Sequence, residues 1–196
     1  RVRRLGANMV GVLCLMALLS GAAFAPDAPL ADAAMRGDIE AVRSLLEGGA
    51  DVNAAQGDGM SALHWAATRG DFEIAELLIA ARADVAAASR IGSYTPLHMA
   101  SKGGHAAIVK ALIEAGADVT VRTTNSEVTP LHLAAASRGG EAVVAVLLER
   151  GADPNALEVA AGQTPLMFAA ANNRAAAVRA LLNGGANPVL TTRVVD

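Results

Sequence analysis

Four histidines, His64, His98, His105 and His132, are the side chains of this chain best suited to chemistry, since imidazole exchanges protons near neutral pH and ligates metals. His98 and His105 stand seven residues apart in "SYTPLHMASKGGH", close to two turns of an α-helix. On one helix face such a pair would suit a metal or a proton relay. Gly103 and Gly104 lie between them, however, and the chain is expected to reverse there. His105 then heads a second helix as a solvated residue, in the place that Asp38, Asp71, Glu141 and Arg174 take elsewhere.

His64, His98 and His132 are spaced 34 and 34, and that interval is not confined to them. Aligned on Leu30, Leu63, Leu97, Leu131 and Leu166, five segments repeat with spacings of 33, 34, 34 and 35, among them "SALHWAATRGDFEIAELLIAARADVAA" and "TPLHMASKGGHAAIVKALIEAGADVTV". Thr95, Thr129 and Thr164 are helix N-cap candidates. The prolines after them suit the first helical position, where a missing N–H costs nothing. Gly37, Gly70, Gly104 or Gly140 interrupts this first helix, and a second helix follows with its apolar residues on one face, such as Val42, Leu45 and Leu46. Gly49, Gly116, Gly151 and Gly185 are expected to close it in the left-handed conformation, with Arg82 at that position in the second unit. Paired alanines such as Ala66-Ala67 and Ala134-Ala135 let neighbouring helices approach closely. The fourth unit has one extra residue around Ser137-Arg138, read as a longer turn between its helices.

The recurring TPLH, AA, LL and GADxN elements resemble the ankyrin repeat family, whose unit is a hairpin-like turn followed by two antiparallel helices. The resemblance implies an all-α solenoid of five repeats over 26–188, at about 28–54, 55–87, 88–121, 122–156 and 157–188, with 189–196 beginning a further turn of a longer chain. It also implies that His64, His98 and His132 are structural, bonding the neighbouring Thr and backbone. One histidine per unit on helices about 8 to 10 Å apart leaves no pair able to share a zinc ion with bonds of about 2.0 to 2.1 Å. Neither a metal nor a cofactor is expected.

No catalytic constellation accompanies them. Asp51, Asp84, Asp118 and Asp153 recur once per unit as turn formers, and the chain has no P-loop, dinucleotide-binding glycine fingerprint, GxSxG or paired-histidine zinc motif. The expected function is binding of a protein partner. By the resemblance, that surface comprises the turn tips and the open side of the first helices: Asp58, Met60, Arg69, Ile91, Tyr94, Lys102, Asn125, Val128, Gln163 and Asn172. Met60, Tyr94, Val128 and Gln163 share one repeat position. This mostly apolar row is read either as exposed contact surface or as packing between neighbouring tips. Trp65 and Phe168 are read as contact aromatics or as partly buried against the next unit. The alternative function is a structural or targeting segment of a larger exported enzyme with its catalytic domain beyond Asp196.

Arg1, Arg3 and Arg4 precede the uncharged stretch "MVGVLCLMALLSGAAFA", the pattern of a secretory signal peptide over 1–25. Cleavage is expected after Ala23 or Ala25, which the N-terminal residue of the exported protein distinguishes. An uncleaved anchor is the alternative, although the stretch is shorter than the roughly 20 residues that span a bilayer. Losing three Arg and no acid leaves 13 Lys+Arg against 19 Asp+Glu, a charge of −6 that disfavours nucleic acid. Cys14 is the only cysteine and leaves with the segment, so a periplasmic or extracellular location poses no thiol problem.

Overall fold

The computed structural model describes residues 28–192, so the expected signal segment and residues 193–196 lie outside the described residues. Among the described residues the chain forms ten α-helices in five antiparallel pairs and no β-strand. They are α1 (Pro29–Arg36), α2 (Ile39–Glu47), α3 (Ala62–Arg69), α4 (Phe72–Ala80), α5 (Pro96–Gly103), α6 (Ala106–Glu114), α7 (Pro130–Ala136), α8 (Glu141–Glu149), α9 (Pro165–Ala171) and α10 (Ala175–Asn183). Helices this short do not persist alone in water, so tertiary packing must hold them.

The first helix of each pair starts where the sequence places it. Thr95, Thr129 and Thr164 are extended at the N-cap and Pro96, Pro130 and Pro165 occupy the first turn. Gly104 then ends α5 at φ +74° and turns the chain into α6 within two residues. The fourth unit has the longer turn expected around Ser137-Arg138, but Gly140 does not make the chain reversal. Its extra residue lengthens the turn to 137–140 and moves the left-handed position to Gly139, at φ +71°, whereas Gly140 is the N-cap of α8 at φ −75°. A Cβ on Gly140 would lie 2.0 Å from the Ala134 carbonyl oxygen, so this glycine answers a close approach rather than a chain reversal. In the fifth unit Asn173 takes the left-handed role at φ +56°.

Stacking follows from side-chain size. Ala33, Ala34, Ala66, Ala67, Ala134 and Ala135 are wholly buried, and these small residues let α1, α3, α5, α7 and α9 pack closely as one layer. The second helices, with Ile74, Leu78, Ile108, Leu112, Val143 and Leu147 turned inward, form a more widely spaced outer layer. Close packing on one side and wide spacing on the other curves the stack, with the first helices on the inner side. Leu30, Leu63, Leu97 and Leu131 repeat at one register in the core. Truncating one of them to Ala would cost about 2–5 kcal/mol.

The turns between pairs lie edge to edge. The Arg90 N–H donates to the Asp58 carbonyl at 2.8 Å, Thr124 to Gly92 at 3.0 Å and Val159 to Ser126 at 2.9 Å. Inside the turns, one position supplies a brace. The Ser89 and Thr123 hydroxyls accept the Tyr94 and Val128 N–H groups, and the Glu158 carboxylate accepts Ala160, Ala161 and Gln163. The tips are therefore a connected row rather than separate loops.

Arg82 adopts φ +66°, where Gly49, Gly116 and Gly151 stand in other repeats. A side chain there costs about 1 kcal/mol. Arg82→Gly is expected to raise stability by about that amount in urea unfolding, and an unchanged or lowered midpoint would refute this.

Candidate functional site

Helical geometry and burial together define the open side of the first helices. Positions two, five and six after the register leucine share one face, because they are three and four residues apart. In α3 these are Trp65, Thr68 and Arg69, while Ala62, Leu63, His64, Ala66 and Ala67 are buried. In α5 the face is Met99, Lys102 and Gly103; in α7 it begins with Leu133, and in α9 with Phe168. Trp65, Met99, Leu133 and Phe168 thus form a half-buried apolar row, one per repeat. Of the two readings of Trp65 and Phe168, partial burial describes both, with one side of each still open. The Trp65 indole N–H donates to Gln56 Oε1 at 2.8 Å, and Phe168 meets His132 edge-on with ring centres 5.1 Å apart.

Of the residues expected at a partner surface, Asp58, Arg69, Ile91, Lys102, Asn125 and Asn172 are exposed, and Tyr94 and Gln163 are half-buried. Met60 and Val128 are not surface residues, at 8% and 7% exposure. For Val128 the reason lies in the backbone, since the Tyr94, Val128 and Gln163 carbonyls each receive the histidine of the preceding repeat, whereas the first repeat has Ala31 in that place and the Met60 carbonyl accepts from the Gln56 N–H of its own turn. The histidine bond holds Val128 down onto the helices behind it, and the closed turn 56–60 does the same for Met60. The packing alternative therefore describes Met60 and Val128, and the exposed apolar residues near the tips are Ile91, at 77%, with Leu157 and Val159. Hydrophobicity alone argues for burial of Leu157 and Val159. They point outward because the residue between them, Glu158, points inward to its three N–H donors.

The three row histidines are bound alike. Nδ1 faces the backbone N–H of Ser61, Thr95 or Thr129 at 3.2, 3.2 and 3.3 Å, and their hydroxyls at 2.9, 3.0 and 2.8 Å. Nε2 lies 2.9, 3.2 and 3.1 Å from the Tyr94, Val128 and Gln163 carbonyls. A carbonyl only accepts, so Nε2 carries the proton and Nδ1 accepts from backbone and hydroxyl. The histidine thereby takes the place of the acidic residue in a capping box. Met167, in the fifth repeat, leaves only the Thr164 half of this exchange.

His105 is not solvated as expected. It is half-buried, its Nε2 lies 3.4 Å from the Thr68 carbonyl, and its ring rests where a Cβ on Gly70 would intrude at 2.6 Å. Arg69 and Arg174 do the same to the Met35 and Ala136 carbonyls at 3.4 and 2.9 Å. All three donate to the carbonyl end of the preceding first helix, the negative end of its dipole. Sequence spacing half-concealed this row, because His105 and Arg174 share one repeat position but in the second repeat the donor is Arg69, two residues earlier, with Asp71 standing in their place.

Among the described residues, no three His, Cys, Asp or Glu side chains are grouped closely enough to hold a metal, and no helix is long and apolar enough to cross a membrane. A recess of about 160 Å³ beside Arg122, Thr129 and Asp153 is smaller than the roughly 300 Å³ of typical small-molecule sites, and wider recesses are open grooves along helix pairs. The family model described as ankyrin repeats (3 copies) matches residues 11–89, 30–123, 87–158 and 122–192. The chain belongs to the ankyrin repeat family. Ankyrin repeats are generally protein–protein interaction modules and typically non-catalytic. No curated protein is similar enough to be counted as a relative.

Burial pushes all three row histidines of this ankyrin array below their ordinary value, His98 to about 4, despite the opposing pull of their carbonyl partners. For Glu158, burial raises the carboxyl, but the N–H groups of Gln163, Ala161 and Ala160 together outweigh it and the net shift is downward. Both kinds of shift act in one direction. The unfolded chain binds protons more readily, so the stabilisation is full above about pH 6.5 for the histidines and declines below it, for His98 as pH falls toward 4. His98 alone should cost about 2 kcal/mol at pH 5 relative to pH 7.5. His98→Met, the residue the fifth repeat uses, is expected to be less stable at pH 7.5 and to show a smaller loss between pH 7.5 and 5 in urea unfolding. An equal pH dependence in the variant would refute the assignment.

Proposed function

We propose that this ankyrin array is a non-catalytic module that holds a protein partner against its inner face and turn tips. The observation that carries the reading is the apolar row Trp65, Met99, Leu133 and Phe168, left half-open along a face whose helices are fixed by a connected core. A rigid row of this kind gives a partner apolar anchor sites without an ordering cost on the array's side. Exposed Asp58, Arg69, Lys102, Asn125 and Asn172 supply a polar rim, and Ile91 stands out from it. Tyr94 packs edge-on against His98 at 5.8 Å, so its ring borders the face as part of the frame.

The test is site-specific photo-crosslinking in cells of the source organism. A photoreactive residue at Ile91 or Lys102 is expected to yield a discrete protein adduct, and one at Ala107, exposed on the outer helix α6, is not. Ile91→Asp should weaken the recovered complex about tenfold, the effect of losing roughly 1.4 kcal/mol at an interface. Adducts from Ala107 but not from Ile91 or Lys102 would place the partner on the wrong side and refute the proposal.

A further inference from the structure

The charged groups of the two layers are distributed against the chain's overall charge of −3. On the inner side, Arg36 at the end of α1, Lys102 near the end of α5 and Arg138 in the turn after α7 are exposed, and none has a carboxylate partner among the described residues. The Arg90 guanidinium, at a tip, is bonded only to the Gly57 carbonyl among the described residues. Of the carboxylates on the same side, two are ion-paired and two are held by neutral donors, one fewer than the three free cations. Asp32 accepts from Gln56, Asp58 from the Met60 N–H, Asp71 from Arg69 and Glu127 from Arg122. The outer helices lean the other way: Glu40, Glu76, Glu141 and Glu149 are exposed there without a cationic partner among the described residues, against two such cations, Lys110 and Arg179, while Arg43 and Arg150 are answered by Glu73 and Glu114.

A plain explanation is that cations at helix ends answer the helix dipole. That duty falls to other residues for two of these helices, since Arg69 and Arg174 donate to the carbonyl ends of α1 and α7. Arg36 and Arg138 therefore remain as an unanswered positive line beside the apolar row, and Lys102 makes no bond that would engage it at the end of α5. Complementarity then asks for negative charge in whatever covers this face.

Resting on the proposed partner-binding face, we infer that the partner segment seated there is an acidic polypeptide, with apolar side chains on the Trp65–Met99–Leu133–Phe168 row and carboxylates against Lys102, Arg138 and Arg36. Neighbouring inner helices stand about 8 to 10 Å apart and an extended chain rises about 3.3 Å per residue. Successive repeats are therefore met at about every third residue of an extended segment. A nucleic acid fits less well, because the cations form a single sparse line and the surface between the line and the tips is apolar rather than basic.

The experiment is selection from a random 12-residue peptide display library on the immobilised protein, followed by titration of the selected peptides with Trp65 emission as the readout. Trp65 is the only tryptophan of the chain and lies on the face itself. The expected peptides combine Asp or Glu with aromatic or aliphatic residues, shift Trp65 emission, and bind a Lys102→Glu, Arg138→Glu variant at least about tenfold more weakly. Both substitutions are at exposed positions, and helical circular dichroism checks that the variant is folded. Selection repeated on the variant should turn to Lys- and Arg-bearing peptides. Peptides that shift Trp65 but are neutral or basic, and bind the variant equally, would overturn the acidic partner while leaving the binding face intact. No selected peptide, or only peptides that leave Trp65 unchanged, would overturn the face as well. Tighter binding of a 12-nucleotide oligothymidylate than of any peptide would overturn the partner class.

Discussion

A buried neutral imidazole at each of three repeat junctions is the constraint on which the rest of the array depends. One ring nitrogen accepts from the start of its own first helix and the other donates to the carbonyl of the following turn. One side chain thus fixes where a helix begins and where the next turn sits upon it. The turn ladder, with bonds such as Arg90 to Asp58, requires adjacent tips to be held at a constant height, and the histidines set that height. The bonds are costly to lose, since a buried donor or acceptor left unpaired forfeits about 1–3 kcal/mol.

Energetically the array is a chain of nearest-neighbour contacts, so each junction matters to its neighbours more than to the far end. The junctions are also not equivalent. Asn53 and Asn155 reach across to the Asp84 and Asn187 N–H groups, while Ala86 and Thr120, at the corresponding positions, make no such bond. In α5, Ser101 replaces a core alanine and its buried hydroxyl has no hydrogen-bond partner among the described residues. The middle of the array therefore carries fewer compensating contacts than the two asparagine-braced junctions, and the histidine bond counts for more there. A face assembled from five first helices stays in register only while those junctions hold, which links the buried chemistry to the open surface.

Much of this was legible in the residues. The Thr-Pro steps, paired alanines and leucine register follow local rules, so the helix starts and the stacking could be read without the structure. The histidine row was legible because identical partners recur beside it. What could not be read arises from contacts between repeats. Val128 looks like an exposed tip residue until its carbonyl is seen to be tied down by His98 of the preceding repeat, and Met60 until its turn is seen to close on itself through the Gln56 N–H. Glu158 looks solvated and Leu157 and Val159 look buried, and the reverse holds because three N–H groups converge on the carboxylate. Gly140 matches the turn glycines of other repeats, yet the extra residue hands that role to Gly139. His105 and Arg174 share a repeat position, but Arg69 performs the same task from two residues earlier, so periodicity reveals only part of this row.

The central claim is that the three row histidines are neutral and bear their proton on Nε2, where it bridges to the next repeat. Long-range proton–nitrogen correlation NMR on histidine-labelled protein at pH 7.5 tests it most directly. The account predicts, for His64, His98 and His132, nitrogen shifts of the neutral Nε2–H form and Nε2 protons protected from exchange with water. Shifts of the Nδ1–H form, of the doubly protonated ring, or of rapidly averaging tautomers at these three positions would contradict it.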